Sequence, residues 1–205
     1  MAFGSAPSPA PSGRILEPPE WADAGIPLLR SPREVVSGLH TRHEPVPDTA
    51  IVAVLDPEER LLASASFSPS GSARRTGRGM GGVLADGWQR RNALLAHLRR
   101  VIPHDLRRRT PVRTAVLLYC REGGAGWTED DGAWMWGLRD ACTLHGLRCG
   151  AYITLTPEGW HVLGEGRSGR SPHAPEAPEQ AEAPLSLLQK AGGGFPAPLR
   201  RAAAR

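Results

Sequence analysis

The chain has 205 residues, 40% of them hydrophobic, and a formal net charge of +4. That length fits one domain with tails to spare. It carries no apolar run of about 18 residues, which excludes a spanning helix of ordinary kind. The first residues lack an apolar core of signal-peptide length, so a soluble, cytoplasmic protein is expected. Three cysteines with no CxxC pair exclude a disulfide framework and a zinc ribbon.

Both ends of the chain are dominated by Ala, Pro, Gly, Ser and Glu. Such segments bury too little apolar area to offset the entropy of ordering them. Disordered tails are therefore expected at 1–25 and 166–205, around a single domain at 26–165.

In chain order, Ser31-Pro32-Arg33-Glu34 reads as a helix start, with a Ser N-cap, Pro in the first turn and an acid beside it. Val35, Val36 and Leu39 give that helix an apolar stripe. His40 and His43 stand three apart at its end and read as a solvated pair. Ile51, Val52, Val54 and Leu55 form a β-branched run, the mark of a buried strand. The polar turn Asp56–Arg60 then leads into Leu61–Phe67, which predicts an antiparallel hairpin. A long Ser/Gly/Arg-rich loop is expected over 68–82.

Asp86 can cap a helix in which Trp88, Leu95 and Leu98 share a face, with Arg90, Arg91, Arg99 and Arg100 on a solvated side. A second buried strand is expected at Ala115–Tyr119, followed by a glycine turn at Gly123–Gly126. Thr128 caps the next helix, where Asp130 and Asp131 meet the positive end of the macrodipole. Trp134, Leu138, Ala141 and His145 recur at helical spacing and should face the core, and Gly146 ends the helix. Strands at Cys149–Leu155 and Trp160–Leu163 close the domain. The fold class is α/β or α+β: a mixed β-sheet flanked by helices.

Charge is unevenly placed. Between Arg74 and Arg113 stand eleven arginines and only two acids, Asp86 and Asp105. Arg90, Arg91, Arg107 and Arg108 are thereby candidates for contact with nucleic acid. GC-rich coding of an actinobacterial type also produces arginine in place of lysine, and Lys190 is the chain's one lysine. Trp136 lies roughly 200° around its helix from Trp134, by the 3.6-residue period, and is a candidate exposed binding anchor.

Several strings resemble the RadC-like JAB domain, a metallohydrolase family also called MPN or JAMM, over about residues 28–163. They are Leu29-Arg30-Ser31-Pro32-Arg33-Glu34-Val35, then Asp48 through Asp56, Trp127-Thr128-Glu129-Asp130-Asp131, and Leu144 through Ile153. The resemblance implies a cytidine-deaminase-like layering. It also implies a zinc site built from His-x-His after a buried strand and an Asp at the next helix start. A Glu at the first strand would serve as acid and base on the zinc-bound water.

This chain departs from that pattern at the ligands. Tyr119-Cys120-Arg121 stands where His-x-His belongs, and Glu122 replaces a Pro. Ala151-Tyr152 replaces a late Asp-His pair. Asp131 and Asp48 remain as acids, and Cys120 is the only thiol nearby. Asp48, Asp131 and Cys120 are thus vestigial catalytic candidates, and Arg121 stands ready to pair with Asp131 in place of a metal. Cys120 reads as a small core residue, and Cys142 and Cys149 as ordinary buried thiols. The expectation is a catalytically inactive domain without metal or cofactor that binds a protein or nucleic acid. The alternatives are a zinc hydrolase with a rearranged ligand set and a basic DNA-binding accessory protein.

Overall fold

The computed structural model describes residues 14–69, 86–103 and 110–172, all within one compact unit. Arg107 and Arg108 and most of the expected loop at 68–82 lie outside these residues, as does most of the expected tail at 166–205.

Two strands, β1 (Thr49–Leu55) and β3 (Thr114–Cys120), are buried at every position after their first threonine. A strand can be apolar on both faces only where both faces are covered. Here Ala50, Val52, Val54, Ala115, Leu117 and Tyr119 point into one core. Ile51, Ala53, Leu55, Val116, Leu118 and Cys120 point into another on the opposite side. β1 pairs antiparallel with β2 (Leu61–Phe67) and with β3, at the centre of a six-stranded sheet. β3 pairs parallel with β4 (Arg148–Thr156), and β5 (Gly159–Val162) and β6 (Ser168–Gly169) extend the far edge antiparallel. The strand order is β2-β1-β3-β4-β5-β6.

Among the described residues there are four helices. α1 (Pro18–Asp23) precedes α2 (Pro32–His43), whose Val36 and Leu39 cover the second core. α3 (Gly87–Val101) and α4 (Glu129–His145) cover the first. Asp86 caps α3 by accepting from Trp88 N at 3.0 Å. Thr128 caps α4 in a reciprocal box with Asp131, and Gly146, at φ 79°, ends it. Ser31 holds the N-cap position of α2 but makes no capping hydrogen bond with its side chain.

A mixed α/β architecture of one sheet flanked by helices is therefore present, and several expectations of detail need correction. Residues 14–23 are ordered although placed in a disordered tail. Leu16 N donates to Gly132 O at 3.0 Å, and Trp21 is buried to 3% exposure in the first core. At the other end, 166–172 is ordered too, with Arg167 donating to Leu29 O and β6 pairing with β5. Trp88, expected on the apolar face, is 42% exposed, and Leu94 joins Leu95 and Leu98 on the buried side. His43 is not simply solvated: its Nε2 lies 2.8 Å from Ser64 Oγ.

α3 and α4 cross closely because glycine stands at the crossing. A Cβ on Gly137 would fall 2.8 Å from Arg91 N, and one on Gly87 would fall 2.7 Å from Trp136 Cε3. Arg90 and Arg91 sit at this same crossing rather than on a solvated side. Arg90 Nε donates to Asp130 at 3.0 Å, and Arg91 Nη1 donates to Asp140 at 3.2 Å.

Candidate functional site

Polar groups converge where β3 ends and α4 begins. In a sheet with a parallel crossover this is the place where side chains from a strand end and a helix start meet. The crossover from β3 through α4 to β4 brings Arg121, Asp131 and Tyr152 together there, and β1 delivers Asp48 alongside.

Arg121 is the hub. Its Nε and Nη2 donate to the two oxygens of Asp131 at 3.2 and 3.0 Å. Its Nη1 donates to the carbonyls of Glu122 and Gly124 at 3.3 and 2.9 Å, and Nη2 also donates to Gly126 O at 2.6 Å. A guanidinium has five N–H groups, and every one is used. The glycine turn serves this geometry: Gly123, at φ +90°, turns the chain so that its carbonyls face back towards Arg121. The side chain is 10% exposed.

Asp131 is fully buried, at 0% exposure. Besides Arg121, it accepts from Thr128 N at 2.9 Å and Thr128 Oγ1 at 2.8 Å, and from Tyr152 Oη at 2.7 Å. A buried carboxylate is tolerated only when paired and hydrogen-bonded in this way.

Asp48 lies at the start of β1, beside the end of β3, where its N–H donates to Cys120 O at 2.8 Å. It stands at φ 63°, a left-handed conformation that few non-glycine residues adopt. Tyr119 Oη donates to its Oδ1 and Ser68 Oγ to its Oδ2, each at 3.2 Å. Tyr119 packs on Trp134 with ring centroids 5.4 Å apart, and Arg90 Cζ lies 4.5 Å from the centroid of the Trp134 ring. The site thus consists of two tyrosine–aspartate pairs, Tyr119–Asp48 and Tyr152–Asp131, with Arg121 and Arg90 beside them.

Burial pushes both tyrosine hydroxyls well above their ordinary range. The charge of Asp131 adds to this at Tyr152, and those of Asp130 and Asp48 add to it at Tyr119. Both phenols are therefore held protonated, as donors to carboxylates. Cys120 lies on the opposite face of β3, in the second core, and burial pushes its thiol up to about 12. A thiol so held is a core residue rather than a nucleophile.

The structure thus brings Arg121 and Asp131 into contact, pairs Asp48 with Tyr119 and Ser68, and places the Cys120 side chain in the other core. Tyr119 and Tyr152, which the sequence presents as replacements for lost ligands, turn out to be partners of the two remaining acids. Arg121 is turned inward and offers no free donor to a partner. Trp136 is half-buried, covered by Trp88 at 5.4 Å between centroids and by Arg14 at 5.4 Å. Trp88 is the exposed member of that cluster, with Arg14 at 5.1 Å and Arg91 at 4.0 Å from its ring centroid.

The zinc ion implied by the resemblance can be tested against these residues. A ligand must present a lone pair. The guanidinium of Arg121 presents none, and it places a fixed positive charge at the Asp131 carboxylate. The oxygens of Asp131 already accept from Arg121, Thr128 and Tyr152. The residues present do not fit a zinc ion of the family's kind.

The class defined by fold and site is a mixed α/β domain with a buried tyrosine–aspartate–arginine network at a strand-to-helix turn. Comparison with protein-family models, with curated proteins and with solved structures finds no match.

Proposed function

We propose that this chain is a catalytically inactive relative of the RadC-like JAB domain that acts as a protein-binding module. The observation that carries this reading is the saturation of Arg121. All five of its N–H groups are used inside the fold, and the acid it pairs with is wholly buried. A centre so filled has neither an open coordination position nor a general base free to take a proton. Arg121 and Asp131 do there the structural work that a metal would do between a strand end and a helix start.

The contact surface proposed is the outer side of α3 and α4 around Trp88. An exposed tryptophan flanked by arginines is the residue composition of interface anchors. A protein partner is favoured over nucleic acid because Arg90 and Arg91 are neutralised by Asp130 and Asp140. Arginines already paired with carboxylates release few counterions on meeting a phosphate backbone.

The test has two arms. Protein purified without a histidine tag should contain no stoichiometric metal, and its unfolding midpoint should be unchanged by chelator. Stoichiometric zinc that disappears on Asp131→Ala would instead support the hydrolase reading. A photo-crosslinking residue at position 88 should capture a defined protein from the native host. Capture of nucleic acid there, with binding that falls steeply as salt rises, would instead support the DNA-binding reading.

A further inference from the structure

The two edges of the sheet differ. On the far side it ends in β6, a strand of two residues with Arg167 just before it and Arg170 just after. Short strands and flanking charges keep a sheet edge from pairing with another chain. On the near side it ends in β2, seven residues long, with no charged residue and no proline in Leu61–Phe67. Among the described residues β2 is paired on one side only, with β1. Helices flank both its faces. Phe67 stacks on His97 of α3 with ring centroids 4.0 Å apart, and Ser64 Oγ lies 2.8 Å from His43 Nε2 of α2 on the opposite face. The open side of the strand is thus its row of backbone N–H and C=O groups.

We propose that β2 is a dimerisation edge, pairing antiparallel with β2 of a second copy of this chain about a two-fold axis through Ala65. Ladder bonds are blind to sequence, so the side chains decide the occupant. The register shift between Val54 and Leu55 makes Leu62 the extra residue of a bulge and leaves Ala63–Phe67 as the regular run. Reversed upon itself about Ala65, that run sets Ala63 opposite Phe67, Ser64 opposite Ser66, and Ala65 opposite its own copy. Ala63, Ala65 and Phe67 stand beside Val54, Val52 and Ala50 on the face of the first core, and Ser64 and Ser66 stand on the other face. Apolar side chains thus meet apolar ones, serine meets serine, and the one large ring meets an alanine.

Charge and symmetry point to the same occupant. A strand without charge offers no ion pair to a charged peptide, whereas two copies of it meet with no like charges opposed. A two-fold axis perpendicular to the sheet keeps α3 and α4 on one face in both copies and α2 on the other. The sheet then runs unbroken from one copy's β6 to that of the other. Small side chains at 63–66 open the edge to close approach, and Pro69, which has no N–H, stands two residues beyond the run. This contact uses neither Trp88 nor the Arg121 network.

The experiment uses the full chain. Sedimentation across a concentration series should show a monomer–dimer equilibrium, and amide exchange at the outward-pointing positions of 63–67 should slow as the dimer forms. Ser66 is exposed, so Ser66→Lys sets a charge on the edge without entering the core, and it should weaken dimerisation by about tenfold. Under mild oxidation Ala65→Cys should be joined to its own copy, because directly opposed residues stand about 4.5–5.5 Å apart between Cα atoms, within disulfide reach. Ser66→Cys should not be joined in this way. A monomer at every concentration would overturn the proposal. So would a dimer protected around Trp88 instead of 63–67, or one that Ser66→Lys leaves at full strength, or cross-linking at 66 in preference to 65. Slow exchange at the outward-pointing amides already in the monomer would show the edge covered within one chain, and would overturn it too. The wild-type measurements decide the matter even if a variant fails to fold.

Discussion

Tyr152 Oη donates to Asp131 Oδ1 across 2.7 Å, joining the middle of β4 to the first turn of α4, and both residues are wholly buried. This bond closes the β3–α4–β4 unit from inside. It also sets the fate of a charge, because Asp131 keeps its buried carboxylate stable only through the donors around it. Tyr152→Phe removes one donor without changing shape. Asp131 Oδ1 keeps its bond from Arg121 Nε. The loss is therefore that of one hydrogen bond to a charged group, about 1.5–3 kcal/mol, which urea denaturation should read as a lower midpoint with an unchanged slope.

The same bonds predict an alkaline limit. Tyr119 and Tyr152 are the only two tyrosines, and both hydroxyls are raised above their ordinary 10.0, chiefly by burial and then by neighbouring carboxylates. The unfolded chain loses these protons near pH 10, while the folded chain retains them. Their contribution to stability is therefore complete below pH 10 and declines as pH rises beyond it. Phenolate absorbance should stay absent from the folded chain past pH 10 and then appear for both tyrosines together with unfolding. A gradual titration centred on pH 10 in a chain that keeps its circular dichroism would contradict the burial of these groups.

Arg121→Met tests the hub directly. It leaves the Asp131 charge buried without its cation, a loss of about 3–5 kcal/mol for broken buried pairs. Arg121→Met combined with Asp131→Asn removes the charge as well as its partner, so the double variant should be more stable than Arg121→Met alone. Additive effects in this cycle would mean that the two side chains do not act as a pair.

Much of this arrangement is written locally. The runs at 51–55 and 115–119 are continuously apolar, the first of them rich in β-branched residues, and they became the two central strands because both faces of each are covered. Thr128, Asp131 and Gly146 act within a few residues of themselves, so the limits of α4 follow from cap chemistry alone. The pairing of Tyr152 with Asp131 spans 21 residues, and that of Tyr119 with Asp48 spans 71. Neither spacing carries a local signal, and the partners meet only once the sheet register is set. Arg90 and Arg91 misled for a different reason. Charge on a helix normally marks the solvated side, but long arginine stems can cross an apolar contact and end on acids of the neighbouring helix. Asp130 and Asp140 provide such ends on α4.

The crossing of those two helices supplies a further test. Gly137 has no room for a side chain, because its Cβ would meet the backbone nitrogen of Arg91 at 2.8 Å and Arg90 Cβ at 3.0 Å. Backbone cannot rotate away as a side-chain tip can, so α3 and α4 must separate. Overpacking of this kind costs about 1–3 kcal/mol and should fall on the ion pairs from Arg90 and Arg91. Gly137→Val should therefore lower the thermal midpoint. Gly38→Ala, where a Cβ meets open space in the middle of α2, should leave it unchanged or raise it slightly.

The N-terminal segment provides the strongest contrast between composition and packing. Residues 14–23 contain two prolines and little apolar area, yet Leu16 and Trp21 are buried. Composition averages over a window, whereas one well-seated tryptophan buries enough surface to hold a short segment by itself. Trp21 lies against Gly164, where a Cβ would come within 2.6 Å of its Cδ1, and Leu16 N bonds the carbonyl of Gly132. Trp21→Ala should cost about 3–5 kcal/mol, the range for a large aromatic removed from a core. Limited proteolysis should then cut near residues 14–23 in the variant and spare them in the wild type. If the variant keeps its midpoint and its protection, the segment contributes nothing to the fold and is a tail after all.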